Sequence, residues 1–234
     1  MKAVKNFLTC CIFLAIPLFC CSQNYWEITV SPGVSVYYGD LTVPIVTFKE
    51  SHLAGQMSIK RYFNGEHALR FNVLHGSLSG DDKNYTRNSV RGNSFVGRIT
   101  EFAMMGEIDL NGKRRYTKKI GYQKTKSPYV MFGVSGIYSK PKVNYGQPDS
   151  KDKNIDYPKW HFGMPVGAGF KFDATERMVF GVELGLRLTL SDYLDGTQAS
   201  GNAYKNDAFF FFGLTANYRF QVQKSVLKKP KENA

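Results

Sequence analysis

Apolar and polar residues alternate strictly between residues 178 and 191, a stretch that reads MVFGVELGLRLTLS. Large apolar side chains occupy every even position from Met178 to Leu190, whereas the odd positions include Glu183, Arg187 and two glycines. A period of two residues places these sets on opposite faces of a β-strand. An unbroken apolar face opposite charges that are flanked by glycines is typical of a transmembrane β-barrel, with lipid outside and a narrow polar lumen inside.

Seven further segments repeat this alternation, and the sequence therefore predicts an all-β, eight-stranded antiparallel transmembrane barrel. Aromatic residues near the ends of several apolar faces match the girdles at the two membrane interfaces. The connections are long after the first, third, fifth and seventh strands, which places both termini in the periplasm and the protein in the cell outer membrane. The predicted strands are 26–39, 53–63, 66–79, 94–110, 128–139, 159–173, 178–191 and 207–220.

Two local signals refine this prediction. Asn64 and Gly65 form a strong hairpin signal, because both residue types tolerate a positive φ. Between residues 94 and 110 the alternation blurs before Thr100, where Arg98 shares the parity of Phe102. This irregularity predicts a bulge or a change of register in the fourth strand.

The inward faces of the predicted strands carry four acids and four bases. An eight-stranded barrel has an interior just wide enough for side chains to fill, and buried charges are costly unless they are paired. We therefore expect a closed lumen filled by a salt-bridge network and no conducting pore. The residues of this network are Glu27, Lys60, Arg70, Glu101, Glu107, Lys171, Glu183 and Arg187.

The N-terminus has the pattern of a targeting segment. Lys2 and Lys5 precede an apolar run at 7–19, so residues 1–22 are predicted to be a signal peptide that is cleaved before Gln23. Lipidation at Cys20 or Cys21 is the alternative, although a small Ala or Gly is expected just before a lipidated cysteine. All four cysteines lie in this segment, so the barrel domain at 23–220 has no thiol chemistry. The basic tail at 221–234 is expected to be disordered in the periplasm.

Charge and histidine spacing argue against several functions. The formal net charge is +12, or +10 once the two lysines of the signal peptide are removed. The four histidines are scattered without metal-ligand spacing, so no metal, cofactor or catalytic site is predicted. An outer-membrane hydrolase needs a serine, a histidine and an acid at the outer rim. Candidates for such a set, which a chain of this size contains in any case, are His161, Asp81, Asp82, Asp192 and Asp195.

A turn at 111–127 concentrates basic residues on the side of the barrel where turns are otherwise short. Nucleic acid is excluded as its partner because the protein is exported. Lipid phosphates or an acidic periplasmic protein fit better, and a solvated turn without a partner remains open. The seven candidate partner-binding residues are Lys113, Arg114, Arg115, Lys118, Lys119, Lys124 and Lys126.

Several strings resemble one known family. They are YYGDL at 37–41, RYFN at 61–64, ALR at 68–70, GDD at 80–82, SPY at 127–129, GVELGLRLT at 181–189 and SDYLD at 191–195. Glu101, Glu107 and Tyr204 belong to the same pattern. Together they resemble the PorG-like outer-membrane barrel family, which is associated with the type IX secretion system.

The resemblance implies a non-enzymatic barrel that associates with a periplasmic ring, built from a lipoprotein and its partner. Outer-membrane lipids are the other expected partners, and no small-molecule substrate is expected. Within this pattern we expect Glu183 to pair with Arg187. We further expect Asp192, Tyr193 and Asp195 to pin the last outer loop across the barrel mouth.

Three other functions stay open. A small surface barrel of the OmpA/OmpX type would bind ligands or host surfaces through its outer loops. An outer-membrane enzyme would use the residues named above. A soluble lipocalin-like binder would have to expose a band of Phe, Leu and Trp to water, which argues against it.

Overall fold

The barrel strands account for most of the residues that the structure describes. The computed structural model describes residues 25–38, 50–82, 92–117, 121–146, 158–190, 194 and 207–220. The predicted signal peptide and C-terminal tail lie outside these residues. The strands are β1 Tyr25–Tyr38, β2 Ser51–Tyr62, β3 His67–Asp81, β4 Ser94–Asp109, β5 Tyr116–Thr117, β6 Gly121–Tyr122, β7 Lys126–Asn144, β8 Trp160–Asp173, β9 Met178–Thr189 and β10 Ala208–Phe220.

Eight of these strands close into one barrel. All neighbours are antiparallel, in the order β1-β10-β9-β8-β7-β4-β3-β2, and β5 and β6 form a separate small hairpin. Closure gives each barrel strand a neighbour on both sides, so the barrel has no edge strand. The predicted eight-stranded all-β barrel is confirmed. The bounds differ most at β7, which continues beyond its predicted end at Ser139 to Asn144.

The connections give the barrel two different ends. The short turns at 63–66 and 174–177 lie at one end, together with the β4–β7 connection and the paired residues Trp26 and Phe220 of β1 and β10. We call this the turn end. The opposite end, from which the longer connections 39–50, 82–93, 145–159 and 190–207 emerge, is the loop end.

The hairpin between β2 and β3 forms at the predicted position but for a different reason. The Asn64 side-chain oxygen accepts hydrogen bonds from the backbone N–H groups of Glu66 (2.8 Å) and His67 (2.7 Å). The glycines with positive φ in the described residues are Gly92 and Gly121, not Gly65. Asn64 therefore stabilises the turn as a side-chain acceptor.

The strand faces divide into an exposed apolar band and a buried polar interior. On β9, Val182, Leu184 and Leu188 are exposed, whereas Glu183 and Arg187 between them are fully buried. The other barrel strands follow the same rule over most of their length. Aromatic residues of this band meet near its turn-end edge, where Trp26 stacks on Phe220 with ring centroids 6.5 Å apart.

At the loop end apolar side chains fill the interior as well, and the predicted bulge in β4 is wrong. β4 pairs continuously with β3 and β7 from Ser94 to Asp109, without a change of register. Arg98 points outward and is exposed, while Phe95 and Ile99 are buried in the barrel mouth. The alternation blurs in the sequence because Phe95 and Ile99 are apolar but face the mouth, while the outer face carries Arg98 together with the exposed Val96. The apolar cluster of the mouth consists of Tyr37, Leu74, Leu78, Phe95, Ile99, Ile137, Leu194, Phe209 and Phe211.

Candidate functional site

Acidic and basic side chains alternate in a closed ring inside the turn-end half of the lumen. Consecutive members are joined by nitrogen–oxygen contacts of 2.7–3.2 Å. Every member is at most 6% exposed. In order, this charge ring consists of Glu27, Lys60, Glu107, Lys171, Asp109, Arg115, Asp173 and Arg219.

Glu183 of β9 is the centre of an extension of the charge ring. Arg70 binds it in a bidentate manner, with Nη1–Oε2 and Nη2–Oε1 distances of 2.6 and 3.2 Å. The Tyr129 hydroxyl (2.8 Å) and the Gln56 amide (2.5 Å) also donate to its carboxylate. Arg70 lies 3.6 Å from Glu107 and so links this cluster to the charge ring. These donors satisfy the hydrogen-bonding capacity of the carboxylate and replace the hydration that it loses on burial.

Arg187 is held by a different partner from the one that we expected. Its Nε lies 3.2 Å from Oε2 of Glu101, and its Nη2 donates to Gln56 at 3.3 Å. Gln56 thereby bridges the Arg187 and Glu183 pairs, and the expected direct pair between them is not formed. A side chain at Gly185 would overlap Nη1 of Arg187, so the glycine makes room for the guanidinium.

The charge ring and its extensions contain six acids and six bases, all buried. The structure brings together all eight lumen residues that strand parity indicated. Removing one partner of a buried ion pair costs about 3–5 kcal/mol, because the other charge is left uncompensated. Balanced charge and full burial therefore give a packed interior in which each charge depends on its neighbours.

Four members of the charge ring were absent from the predicted network. Asp109 has the same parity as Glu107 on β4, and Arg219 has the same parity as Thr215 and Asn217, which face the lumen on β10. Asp173 has the same parity as Lys171, so its position on β8 already contained the signal. Arg115 lies in a connection, where strand parity gives no information.

Arg115 corrects the prediction for the basic turn. It is fully buried rather than presented to a partner. Its guanidinium contacts Asp173 (2.9 Å), Asp109 (3.1 Å) and the Tyr25 hydroxyl (3.1 Å). Burial disfavours its charge, but Tyr25 and the two carboxylates outweigh that effect and raise the pKa of Arg115 above its usual value. The basic turn is therefore anchored inside the barrel.

Two tyrosines hold the same turn against the turn-end mouth. Tyr116 packs on Tyr25, with ring centroids 5.9 Å apart, and belongs to an apolar cluster with Tyr62. Tyr122 donates its hydroxyl to the carbonyl of Thr175 at 2.8 Å. Burial raises the pKa of Tyr116, and it raises the pKa of Tyr122 to about 12. The described residues of the turn, 111–117 and 121–127, therefore pack on the mouth.

The remaining basic residues of the turn have a different environment. Lys113 is 72% exposed and lies 2.6 Å from Glu66. Arg114, Lys124 and Lys126 are also exposed. The predicted partner-binding residues Lys118 and Lys119 lie outside the described residues. The basic turn is thus anchored by the buried Arg115, and its exposed basic side chains face solvent at the turn end.

The last loop is fixed at one described position. Leu194 is buried, its backbone N–H donates to Asp207 at 2.9 Å, and its carbonyl accepts from Ser139 Oγ at 3.2 Å. These bonds hold residue 194 within the mouth. The predicted loop residues Asp192, Tyr193 and Asp195 lie outside the described part of the chain.

The candidates for hydrolytic chemistry are distributed over two strands. His161 faces the lumen on β8, opposite Ile137. Asp81 lies opposite Ser94 at the end of β3, and the Asp82 carboxylate accepts from the Asn93 backbone. The described residues contain no group of three or more His, Cys, Asp or Glu side chains arranged to hold a metal ion. They also contain no helix with the length and apolarity needed to span a membrane.

Comparison with solved structures shows the barrel fold in outer-membrane proteins. Neisserial surface protein A is similar with a TM-score of 0.50 and 13% identity, over 83% of this chain and 97% of that one. Ail, the attachment invasion locus protein of Yersinia pestis, gives a TM-score of 0.47 and 11% identity over 85% and 100%. The outer membrane enzyme PagL gives 0.39 and 11% over 82% and 98%. At these identities the similarity concerns the fold alone.

Comparison at the sequence level identifies a family. No curated protein sequence matches the chain. A family profile described as a domain of unknown function, DUF6089, matches residues 5–225. The chain therefore belongs to the DUF6089 family.

Proposed function

We propose that this protein is a non-enzymatic barrel of the cell outer membrane that anchors or assembles the periplasmic ring of the type IX secretion machinery. Its partners would be outer-membrane lipids and the ring proteins, a lipoprotein and its partner. The exposed apolar band supports a position in the membrane, and the motifs of strands β1–β3 and β9 support the secretion role by their resemblance to PorG-like barrels.

The orientation follows from the lengths of the connections. Outer-membrane barrels have short periplasmic turns and longer extracellular loops. By this rule the turn end faces the periplasm and the loop end faces the medium. The basic turn is then on the side where a periplasmic ring lies.

One observation carries the proposal: the basic turn is a fixed platform. Arg115 anchors the turn to Asp109 and Asp173, while Arg114 and Lys124 stay exposed. A surface that is ordered before binding loses less conformational entropy on association. Exposed positive charges at its rim suit an acidic partner.

The experiment replaces Lys113, Arg114, Lys124 and Lys126 with Gln in the full chain and measures recovery of the ring proteins by co-purification. We expect recovery to fall on the order of tenfold, because each exposed ion pair contributes up to about 1 kcal/mol. The matched control replaces the exposed loop-end residues Arg98, Lys140, Lys142 and Lys159 with Gln. Unchanged recovery with the first variant, or equal loss with the control, would contradict the role of the turn.

A second function is favoured by the shape of the loop end. β7 continues to Asn144, although β8 begins only at Trp160, so the wall of β4 and β7 rises above its neighbour. A projecting polar wall suits a small surface barrel of the OmpA/OmpX type that binds ligands or adheres to surfaces. Deletion of the gene would then alter adhesion and leave protein secretion intact.

A further inference from the structure

A row of outward-facing polar residues crosses the barrel wall near the loop end. Ser77 of β3 lies opposite Arg98 of β4, and Arg98 lies opposite Lys140 of β7. Lys142 shares the outer face of β7 with Lys140. All three basic side chains are exposed. We call Arg98, Lys140 and Lys142 the basic patch.

The basic patch places like charges next to each other. Arg98 and Lys140 are direct cross-strand neighbours, whose Cβ atoms are about 4.5–5.5 Å apart in such pairs. Like charges in this position destabilise a sheet. Within the described residues, no carboxylate forms an ion pair with any of the three. An anion bound between them would remove this repulsion.

The height of the basic patch on the barrel identifies the kind of anion. The next outward row toward the turn end contains Thr100, Tyr138 and Trp160, which are aligned across β4, β7 and β8. The Trp160 ring lies 5.3 Å from Tyr138 and 6.4 Å from Phe102. Tyrosine and tryptophan gather where the hydrocarbon meets the headgroups. Two residues along a strand rise about 6.4–6.8 Å, so the basic patch lies at headgroup depth.

We propose that the basic patch binds the phosphate groups of an anionic lipid of the outer leaflet. Arg98 supplies a planar fork suited to phosphate oxygens, and Lys140 and Lys142 supply ammonium charges beside it. This inference rests on the proposed membrane position and orientation, but it is independent of any contact with the ring proteins. It adds a lipid site at the end of the barrel opposite the basic turn.

The test measures binding of diphosphoryl lipid A to the full chain in phosphatidylcholine nanodiscs. We expect the variant Arg98→Gln/Lys140→Gln/Lys142→Gln to bind on the order of 100-fold more weakly, because each basic residue near an anionic surface contributes about 1 kcal/mol. A matched control, Arg114→Gln/Lys124→Gln/Lys126→Gln, removes the same charge at the turn end and should bind as the wild type does. Folding of each variant is verified by electrophoretic mobility without heating.

Two further arms identify the ligand. Dephosphorylated lipid A should bind no better than the phosphatidylcholine background, and inorganic phosphate at equal concentration should not displace diphosphoryl lipid A. Undiminished binding by the loop-end variant, or equal loss with the control, would overturn the site. Displacement by inorganic phosphate would overturn the assignment to a lipid. Loss of ring co-purification in the earlier experiment, with lipid binding retained, would separate the two proposals.

Discussion

Arg115 is a single side chain that anchors the connection between β4 and β7 inside the barrel. By composition it belongs to a run of solvated basic residues, yet it completes the charge ring between Asp109 and Asp173. Strand parity assigned Glu183 and Arg187 to the lumen, because the period of two fixes the face of every strand residue. It did not choose their partners, since a long arginine reaches across the lumen to another strand. Strand parity gives no information about a residue in a turn, so the burial of Arg115 could not be predicted from the sequence.

Replacement of Arg115 tests the anchor of the basic turn. We expect Arg115→Gln to lower the free energy of unfolding by about 3–5 kcal/mol, because two buried carboxylates lose their shared partner. The measurement is a urea titration of the folded fraction in lipid vesicles. The exposed neighbour gives the control, and Arg114→Gln should stay within about 0.5 kcal/mol of the wild type. Equal stability of the two variants would place Arg115 in solvent.

Tyr122 predicts a change in the alkaline range. Burial raises its pKa to about 12, so the neutral phenol is favoured in the folded turn. A raised pKa gives stability that is complete below about pH 10, the usual tyrosine value, and is lost as the pH rises through about 12. Tyrosinate absorbance is measured as a function of pH for the wild type and for Tyr122→Phe. The difference between the two curves reports Tyr122 and should have its midpoint near pH 12. A midpoint near pH 10 would show that the turn does not pack on Thr175.

At the scale of elements, one rule explains both the correct and the wrong strand predictions. Alternation predicted β9 well because its apolar face points outward along the whole strand and its charged face is buried. In β4 the rule failed before Thr100, where Phe95 and Ile99 fill the mouth and the outer face carries both Arg98 and the exposed Val96. The strand continues there, but apolar side chains occupy both of its faces, so the period of two is obscured. The sequence therefore indicated the strand but not the surroundings of its first residues.

A pair of adjacent substitutions tests which face of β4 is buried near the loop end. Ile99→Ala should destabilise the barrel by about 2–5 kcal/mol, because it empties part of a packed cluster. Arg98→Ala, one residue away on the outer face, should change stability by no more than about 0.5 kcal/mol. Both are measured by the same urea titration. The reverse order of effects would restore the register change that the sequence suggested.

At the scale of the whole molecule, the sequence predicts the barrel but does not predict that the basic turn packs on its turn-end mouth. Eight alternating segments and the lengths of their connections were enough to predict strand number and antiparallel order. Closure of the turn-end mouth depends on Arg115, Tyr116 and Tyr122, which belong to no alternating pattern. The filled lumen and the anchored basic turn together predict a barrel that serves as a membrane anchor and does not conduct ions.

Planar bilayer recording tests the filled lumen. The wild-type chain should show no steady conductance, since the charge ring and its extensions bury every charged side chain that they contain. Arg115→Gln should raise the frequency of brief openings, because the anchor of the turn is lost. A steady ohmic conductance from the wild type would contradict a packed interior.

The central claim, that the basic turn meets the periplasmic ring, is tested most directly by photo-crosslinking in intact cells. A photoreactive residue replaces Arg114 at the turn end and, in a second strain, Lys142 at the loop end, both exposed positions. We expect crosslinks to the ring lipoprotein or its partner from position 114 and none from position 142. Ring crosslinks from position 142 alone, or from neither position while secretion continues, would contradict it.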